Sequence, residues 1–325
     1  MINTYNRIRA LFKPEQFHGW GRKKRFFEGW YYKIINEDES KAYAIIPGIA
    51  MDEQGHRQAF IQVLDGKSRK AEYIKFPPGD FRPAGGSFEV DIAGSRFRMD
   101  AIELNLPSLT GKLEFAGQVP WPTSLSSPGI MGPYSFVPFM ECYHGILSMD
   151  HSIKGKLLIN GEETDFTGGR GYMEKDWGRS FPSAYTWMQT NHFSRPGISF
   201  KSSVAKIPWL GSSFTGFIAG LLVDGQLYQF TTYNSTKLLK CMIDNKKVEL
   251  VFRNKKHKLE VFAKREEATA LASPIMGLMD GKIEESMCSG IFINLKDLKT
   301  NKTLLEDTGR NAALEVAGRI EEITT

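Results

Sequence analysis

The chain has 325 residues, of which 41% are hydrophobic and 12% aromatic, and its formal net charge is +5. A chain of this length can bury a stable core without disulfides, and its three cysteines are too few and too widely spaced for a disulfide framework or a CxxC metal site. The basic residues are scattered, which argues against a nucleic-acid partner; a transient contact with an anionic membrane is compatible with this charge but not indicated by it.

Short β-prone segments separated by turn residues fill the first part of the chain. The first is Phe26–Ile35, in which aromatic and branched residues surround one carboxylate, Glu28. The segments that follow are residues 42–49, 58–64, 71–76, 87–92, 96–99, 101–106 and 112–118. This regular spacing of short strands predicts an antiparallel meander that forms a barrel or a sandwich.

A long segment rich in proline, glycine and aromatic residues interrupts the strand pattern at residues 120–144. Long segments without secondary structure in a compact domain are usually functional, and the aromatic content argues against disorder. We predict that this segment covers or walls a pocket. A structural strap between two domains is the alternative.

Residues 170–193 mix carboxylates, amides and aromatic side chains in a way that neither a solvated loop nor a plain core strand requires. If residues 172–177 are extended, Glu174 and Asp176 point to one face of the strand and Lys175 points to the other. A second strand over residues 185–193 places on one face Tyr185, Trp187, Gln189 and Asn191, or else Thr186, Met188, Thr190 and His192. The pattern is typical of a pocket that contains an acid or base. A buried network pairing these carboxylates with Arg170 or Arg179 is the structural alternative.

A second series of β-prone segments fills the rest of the chain. After residues 146–152 and 156–159 it comprises residues 198–207, 213–223, 226–233, 238–243, 247–253, 258–263, 287–295 and 302–307. We predict a loop at residues 273–281 and a strand or short helix at 311–317. The natural division is a first unit over residues 20–160, which includes the segment 120–144, and a second over residues 161–321.

The sequence does not contain the motifs that several kinds of active site require. The six histidines show neither HxH nor HExxH, so we predict no metal site, and no GxGxxG follows a strand, so we predict no nucleotide cofactor. What remains is acid–base chemistry by carboxylates, namely Glu28, Glu141, Glu174 and Asp176. A carboxyl in an apolar pocket retains its proton because burial raises its pKa, and aromatic faces stabilise a cation formed by protonating an alkene.

Several motifs resemble the tocopherol cyclase family. They are FFEGWY at residues 26–31, SPGIMG at 127–132, FVPFMECYHG at 136–145, GYMEKDWG at 171–178 and EDTGR at 306–310. The resemblance implies an all-β protein of two lipocalin-like antiparallel β-barrel halves packed together, related to carotenoid 1,2-hydratases. It also implies a cofactor-independent reaction, in which a prenylated quinol is protonated on its tail and closes to a chromanol.

Within this interpretation we predict a site at the junction of the halves. Asp176 is the favoured proton donor and Glu174 its partner, with Glu28 and Glu141 as the next candidates. The predicted substrate contacts are Trp30, Tyr143, His144, Trp177, Tyr185, Trp187, Gln189, Asn191 and His192. The substrate is a hydrophobic small molecule, a prenylated quinol or another isoprenoid.

Two alternatives to a cyclase stay open at this stage. A hydratase shares the protonation step but lets water capture the cation, and a non-catalytic carrier of an isoprenoid or lipid uses the carboxylates structurally. The first residues contain basic side chains but no apolar stretch, which predicts no signal peptide and a cytoplasmic location. A plastid enzyme of this family would carry a transit peptide, so we expect a bacterial relative.

Overall fold

A computed structural model describes residues 9–325, and its regular structure is almost entirely β-strand. The strands are β1 (Phe26–Ile35), β2 (Ala42–Met51), β3 (Arg57–Asp65), β4 (Lys70–Phe76), β5 (Phe81–Pro83), β6 (Glu89–Ile92), β7 (Ser95–Arg98), β8 (Ala101–Asn105), β9 (Leu109–Ala116), β10 (Cys142–Ile159), β11 (Glu162–Asp165), β12 (Arg170–Gly178), β13 (Ala184–Thr190), β14 (Ile198–Trp209), β15 (Ser212–Val223), β16 (Gln226–Thr231), β17 (Lys237–Ile243), β18 (Lys247–Arg253), β19 (His257–Lys264), β20 (Thr269–Ile275), β21 (Leu278–Asp297) and β22 (Lys302–Gly318). The 3₁₀ helices are Pro78–Asp80, Gly132–Phe136 and Ile320–Glu322.

The strands form two antiparallel sheets, which confirms the all-β prediction. The first sheet has the order β4-β3-β2-β1-β12-β10-β9-β8-β7-β6-β5, with β11 paired to β10. The second has the order β16-β15-β14-β13-β22-β21-β19-β18-β17, with β20 paired to β21. Among the described residues, each order is a path with two separate ends, so the predicted barrel halves are open sheets rather than closed barrels. No helix within residues 9–325 combines the length and the apolar character needed to cross a membrane.

The chain divides into two compact units, each with its own hydrophobic core. The first ends at Phe181 and also contains Leu271–Lys282; the second comprises Pro182–Ala270 and Ile283–Thr325. The predicted boundary at residues 160/161 is earlier than this division. It differs because β12 lies beyond residue 160 and yet pairs with both β1 and β10 of the first sheet.

The predicted loop at residues 273–281 is instead part of a hairpin. β20 and β21 pair there, and the turn between them uses Met276 and Gly277, both of which have positive φ. At Gly277 a Cβ would lie 2.0 Å from the Met51 carbonyl oxygen, so a residue with a side chain cannot occupy this position without a shift of the backbone. The segment at 311–317 is strand, because it continues β22.

Candidate functional site

The site is organised around β12, which lies between β1 and β10 in the first sheet. Its register places Asp176 opposite Gly29 on one side and His144 on the other, and Lys175 opposite Trp30 and Gly145. Directly opposed residues of antiparallel strands project to the same face. The predicted alternation is therefore confirmed: Glu174 and Asp176 share one face of β12, and Lys175 lies on the other.

The face that carries Lys175 holds a buried ion pair. The Lys175 Nζ lies 2.5 Å from the Glu28 Oε1, and both side chains are fully buried. The ammonium also lies 4.7 Å from the Trp30 ring centroid and 4.8 Å from that of Trp177, so two indole faces enclose it. A buried ion pair contributes most to stability when its remaining hydrogen-bond donors and acceptors also have partners.

The chain that precedes β1 satisfies these remaining groups. The Glu28 carboxylate accepts hydrogen bonds from the backbone N–H groups of His18, at 2.8 Å, and Gly19, at 3.0 Å. The Lys175 ammonium donates to the carbonyl oxygens of Pro14, at 3.0 Å, and Gln16. Residues 14–19 are thus fixed onto the sheet by one buried charge pair.

This environment disfavours Glu28 as a proton donor. Burial alone would raise the pKa of its carboxyl, but the Lys175 ammonium and the hydrogen bond from His18 lower it, and the net shift is downward. Burial lowers the pKa of Lys175 to about 8, which still leaves it protonated at neutral pH. Glu28 therefore stays an anion in the folded protein.

His18 completes the buried cluster as a neutral imidazole. Its Nδ1 lies 2.7 Å from the Lys175 Nζ, from which it accepts, so its Nε2–H donates to the Ala10 carbonyl oxygen at 2.9 Å. Its ring stacks on Trp177 with centroids 4.0 Å apart. Burial, reinforced by the Lys175 charge, lowers the pKa of His18 from 6.5 to about 4.

We expect the stability of the folded chain to fall as the pH is lowered from 6.5 to 4. In this range the unfolded chain protonates His18 while the folded chain does not, so the unfolded state binds more protons and is favoured. The loss from this residue reaches about 3 kcal/mol. Urea unfolding across the range should show it, and His18→Gln, which cannot titrate there, should remove it. An equal pH dependence in the variant would contradict the assignment.

The opposite face of β12 carries a linked set of polar side chains. The His144 Nδ1 lies 2.8 Å from the Asp176 Oδ1, and its Nε2 lies 3.4 Å from the Glu174 Oε2. The Tyr172 hydroxyl donates to the same Glu174 oxygen at 2.5 Å. The imidazole of His144 is therefore hydrogen-bonded to Asp176 and lies beside Glu174, where its Nε2 makes no hydrogen bond within residues 9–325. We call these four residues, Tyr172, Glu174, His144 and Asp176, the acid network.

Asp176 is the most open member of the acid network. Its side chain is 25% exposed, against 12% for His144 and 5% for Glu174. The residue opposite it on β1 is Gly29, at which a Cβ would make only ordinary contacts of 3.6 Å or longer. No side chain from this position of β1 therefore lies over Asp176. The Cys142 thiol, whose pKa is raised by burial and then by Asp176, lies with its Sγ 3.8 Å from the Asp176 Oδ1.

Glu141 precedes β10 and is half-buried. Burial raises the pKa of its carboxyl, and the Arg179 charge opposes that rise only in part. Glu141 directly precedes Cys142, whose Sγ lies 3.8 Å from the Asp176 Oδ1. Of the four predicted acids it is the runner-up to Asp176.

The two arginines suggested as partners of these carboxylates have other contacts. Arg170 forms an ion pair with Asp150, with an Nη2–Oδ2 distance of 2.6 Å. Arg179 donates to the Phe139 carbonyl oxygen at 3.4 Å. The charge partner that the sequence did not reveal is Lys175, which pairs with Glu28.

The predicted substrate contacts fall into separate groups. Trp30, Trp177 and Tyr143 lie on the Lys175 face of the first sheet, opposite to the face that carries Asp176, and their role as substrate contacts stays a prediction. His144 belongs to the acid network. The remaining residues lie on or directly after β13 in the second unit: Tyr185, Trp187, Gln189, Asn191 and His192. There the Tyr185 hydroxyl donates to the Glu315 Oε2 at 2.7 Å, and all five residues are buried.

The structure brings together a ligand set that sequence spacing did not reveal. His144, Glu174 and Asp176 each offer one atom, and the three atoms lie within 4.8 Å of one another. A histidine with two carboxylates is a donor set that divalent metals accept. The spacing of these residues along the sequence did not predict this set, because His144 lies on β10 and the two carboxylates lie on β12.

We expect no metal to be needed for activity or ligand binding. The His144 Nδ1 already contacts Asp176, and Tyr172 already donates to Glu174, so each carboxyl has a hydrogen-bond partner without a metal, although the buried His144 Nε2 makes no hydrogen bond to any described residue. Dialysis against EDTA followed by a turnover or ligand-binding assay should leave both unchanged. Loss of either function, restored by one metal and accompanied by that metal in elemental analysis, would contradict this prediction.

Comparison with known proteins identifies the family and the fold. The family model described as "Tocopherol cyclase-like" matches residues 112–318. A protein of Oryza sativa subsp. japonica named "Probable tocopherol cyclase, chloroplastic" is 28% identical over 194 residues, which cover 56% of this chain and 40% of that protein. The chain thus spans about two fifths of the length of this curated relative.

Two solved structures share the fold at low sequence identity. The crystal structure of CghA with Sch210972 has a TM-score of 0.55 and 13% identity, and the match covers 90% of this chain and 89% of that one. Kievitone hydratase from Nectria haematococca has a TM-score of 0.50 and 9% identity, with the same coverage of both chains. These similarities agree with the predicted lipocalin-like architecture.

Proposed function

We propose that this chain, which belongs to the tocopherol cyclase-like family, catalyses the acid-driven cyclisation of a prenylated quinol or phenol to a chromanol-type ring. The observation that carries the proposal is the acid network, in which His144 lies 2.8 Å from Asp176 and 3.4 Å from Glu174, and Asp176 faces Gly29 on β1. The reaction needs an acid, a returning base and an apolar ligand, and no cofactor. We retain the cytoplasmic location as part of this proposal.

Asp176 is the proposed proton donor because it is the most open carboxyl of the network. It transfers a proton to the first double bond of the prenyl tail, which leaves a tertiary carbocation. The phenol oxygen then forms a C–O bond to that carbon, and the phenol proton returns to the network. Substrate and product are isomers, and no oxidant or reductant is consumed. Two carboxyls beside one imidazole supply an acid that can donate a proton and a base that can recover it.

The remaining members of the network support the donor. Tyr172 donates to Glu174 and so fixes the carboxylate that faces the His144 Nε2. His144 in turn holds Asp176 through Nδ1. The contacts predicted from the sequence in the second unit, Tyr185, Trp187, Gln189, Asn191 and His192, stay a separate prediction.

Mass spectrometry of the product tests this function. The purified chain is incubated with prenylated quinols of differing tail length, and products are separated and weighed. A cyclase yields a product with the mass of the substrate and one fewer exchangeable hydroxyl proton. A hydratase yields a product heavier by one water, and a carrier returns the substrate unchanged. Either of the last two results would overturn the cyclase assignment.

A further inference from the structure

Three phenylalanines expose more than a third of their surface on segments outside the strands. Phe12, in the chain that precedes β1, is 37% exposed, and Phe136 and Phe139, between β9 and β10, are 44% and 45% exposed. The rings of Phe12 and Phe136 meet edge to face with centroids 6.1 Å apart. We call these three residues the phenylalanine patch. Exposed apolar groups in such a cluster usually mark an interaction surface.

Cationic side chains border the phenylalanine patch. Arg179 donates to the carbonyl oxygen of Phe139, and Lys13 follows Phe12 directly and is exposed. The exposed run Arg22, Lys23 and Lys24 follows His18 closely along the chain, and stacked rings connect His18 to Trp177 and Trp177 to Tyr143. The Tyr143 hydroxyl donates to the Val137 carbonyl oxygen, next to Phe136.

Two of these cations act on the pKa of Tyr143. Burial raises the pKa of its hydroxyl, and the charges of both Arg22 and Arg179 oppose that rise. Two cations from separate segments therefore lie within electrostatic reach of the residue that contacts the patch segment at Val137. We call Lys13, Arg22, Lys23, Lys24 and Arg179 the cationic rim.

A second exposed aromatic pair offers a comparison within the same chain. Phe262 and Phe292 lie opposite each other on β19 and β21 and are 40% and 36% exposed. The lysines on the neighbouring strand positions are paired with glutamates, as in Lys247–Glu249, Lys258–Glu260 and Lys264–Glu266.

The cationic rim lacks such compensation. Within the described part of the chain, Arg22, Lys23 and Lys24 make no ion pair, whereas Arg25 pairs with Glu53. The two exposed aromatic clusters therefore match in apolar exposure and differ in charge. Only the phenylalanine patch combines protruding rings with uncompensated positive charge.

We infer that the phenylalanine patch and its cationic rim dock onto the surface of an anionic lipid bilayer. Aromatic side chains insert at the boundary between headgroups and acyl chains, and adjacent lysines and arginines contact anionic headgroups. The patch lies on segments outside the strands and offers no strand edge for β-augmentation by a peptide. This inference stands on charge and exposure and does not depend on the proposed reaction.

Vesicle flotation with the full chain tests the inference. The probes are vesicles of phosphatidylcholine alone and vesicles of phosphatidylcholine and phosphatidylglycerol at about three to one. We expect binding to the anionic vesicles only, weakened by added salt. The triple variant Arg22→Gln, Lys23→Gln, Lys24→Gln should lower the affinity about a hundredfold, since each cation near an anionic surface contributes about fivefold.

The matched aromatic variants separate apolar insertion from charge. Phe136→Ser with Phe139→Ser should lower vesicle affinity at least about tenfold. Phe262→Ser with Phe292→Ser removes equally exposed rings from the second unit and should leave affinity unchanged. Thermal unfolding by circular dichroism confirms that each variant is folded. If the Phe136→Ser, Phe139→Ser variant is not folded, the triple charge variant tests the inference instead.

Four results would overturn the inference, three of them in the vesicle assay. They are equal binding of the wild-type chain to neutral and anionic vesicles, no binding to either, and an equal loss in the Phe262/Phe292 control. Retention by an acidic protein without any vesicle binding would assign the same surface to a protein partner and would also overturn it.

Discussion

Asp176→Asn should reduce turnover of a prenylated quinol by about 10²–10⁴-fold, the range typical of a lost general acid. The amide keeps the size of the side chain and an oxygen that accepts from the His144 Nδ1, so the acid network should retain its geometry. What the variant loses is the proton. Ligand affinity, measured by fluorescence quenching, and the unfolding midpoint should change little, while the turnover number falls.

Two further variants serve as controls for this result. Glu174→Gln retains a hydrogen-bond acceptor for Tyr172 and should cost less, because Glu174 acts on the donor only through His144. Glu141→Gln tests the other half-buried carboxyl whose pKa is raised. Normal turnover by Asp176→Asn together with a large loss in Glu141→Gln would move the donor to Glu141. An Asp176→Asn chain that does not fold would favour a structural role for the carboxylate and a carrier function.

Lys175→Met should destabilise the folded chain by about 3–5 kcal/mol, the usual cost of removing one partner from a buried ion pair. Methionine fills a similar volume but leaves the Glu28 carboxylate without its ammonium, in a place where both side chains are fully buried. The carbonyl oxygens of Pro14 and Gln16 lose their donor at the same time. Urea unfolding followed by tryptophan fluorescence measures the change.

The matched control is Lys112→Met, which breaks the exposed pair between Lys112 and Glu114 and should cost less than about 1 kcal/mol. The double variant Lys175→Met with Glu28→Gln removes the unpaired charge and should recover part of the loss. Limited proteolysis should cleave within residues 9–19 faster in the single variant. Equal stability of the Lys175 and Lys112 variants would contradict the role of the buried pair.

Local pattern predicted much of the fold because the sheets are built from hairpins. β1 and β18 match the predicted ranges, and the extended segment around Glu174 has the predicted alternation of faces. Period-2 patterning and turn residues act between neighbours along the chain, so they can be read directly. These signals fail where a strand contains residues that are typical of loops. At residues 273–281, proline, glycine and methionine predicted a loop, but the chain forms a hairpin.

The candidate site depends on pairing between distant segments, which local pattern does not encode. His144 reaches Asp176 because β10 pairs with β12, and Lys175 reaches Glu28 because β1 pairs with the other edge of the same strand. Alternation along β12 correctly predicted that Glu174 and Asp176 share one face. It did not predict that His144 contacts Asp176 or that Lys175 pairs with Glu28. Lys175, between Glu174 and Asp176, was the signal in the sequence: a lysine on the opposite face of a buried strand requires a charged partner there.

Turnover in heavy water is the most direct test of proton transfer from the acid network to a carbon of the ligand. The chain and a prenylated quinol are exchanged into D₂O, and the chromanol product is back-exchanged into ordinary water before mass spectrometry. Proton transfer from the network predicts one non-exchangeable deuterium per product molecule, on the carbon that belonged to the alkene, at a rate that falls in Asp176→Asn. A chromanol formed at the normal rate without carbon-bound deuterium would contradict the account.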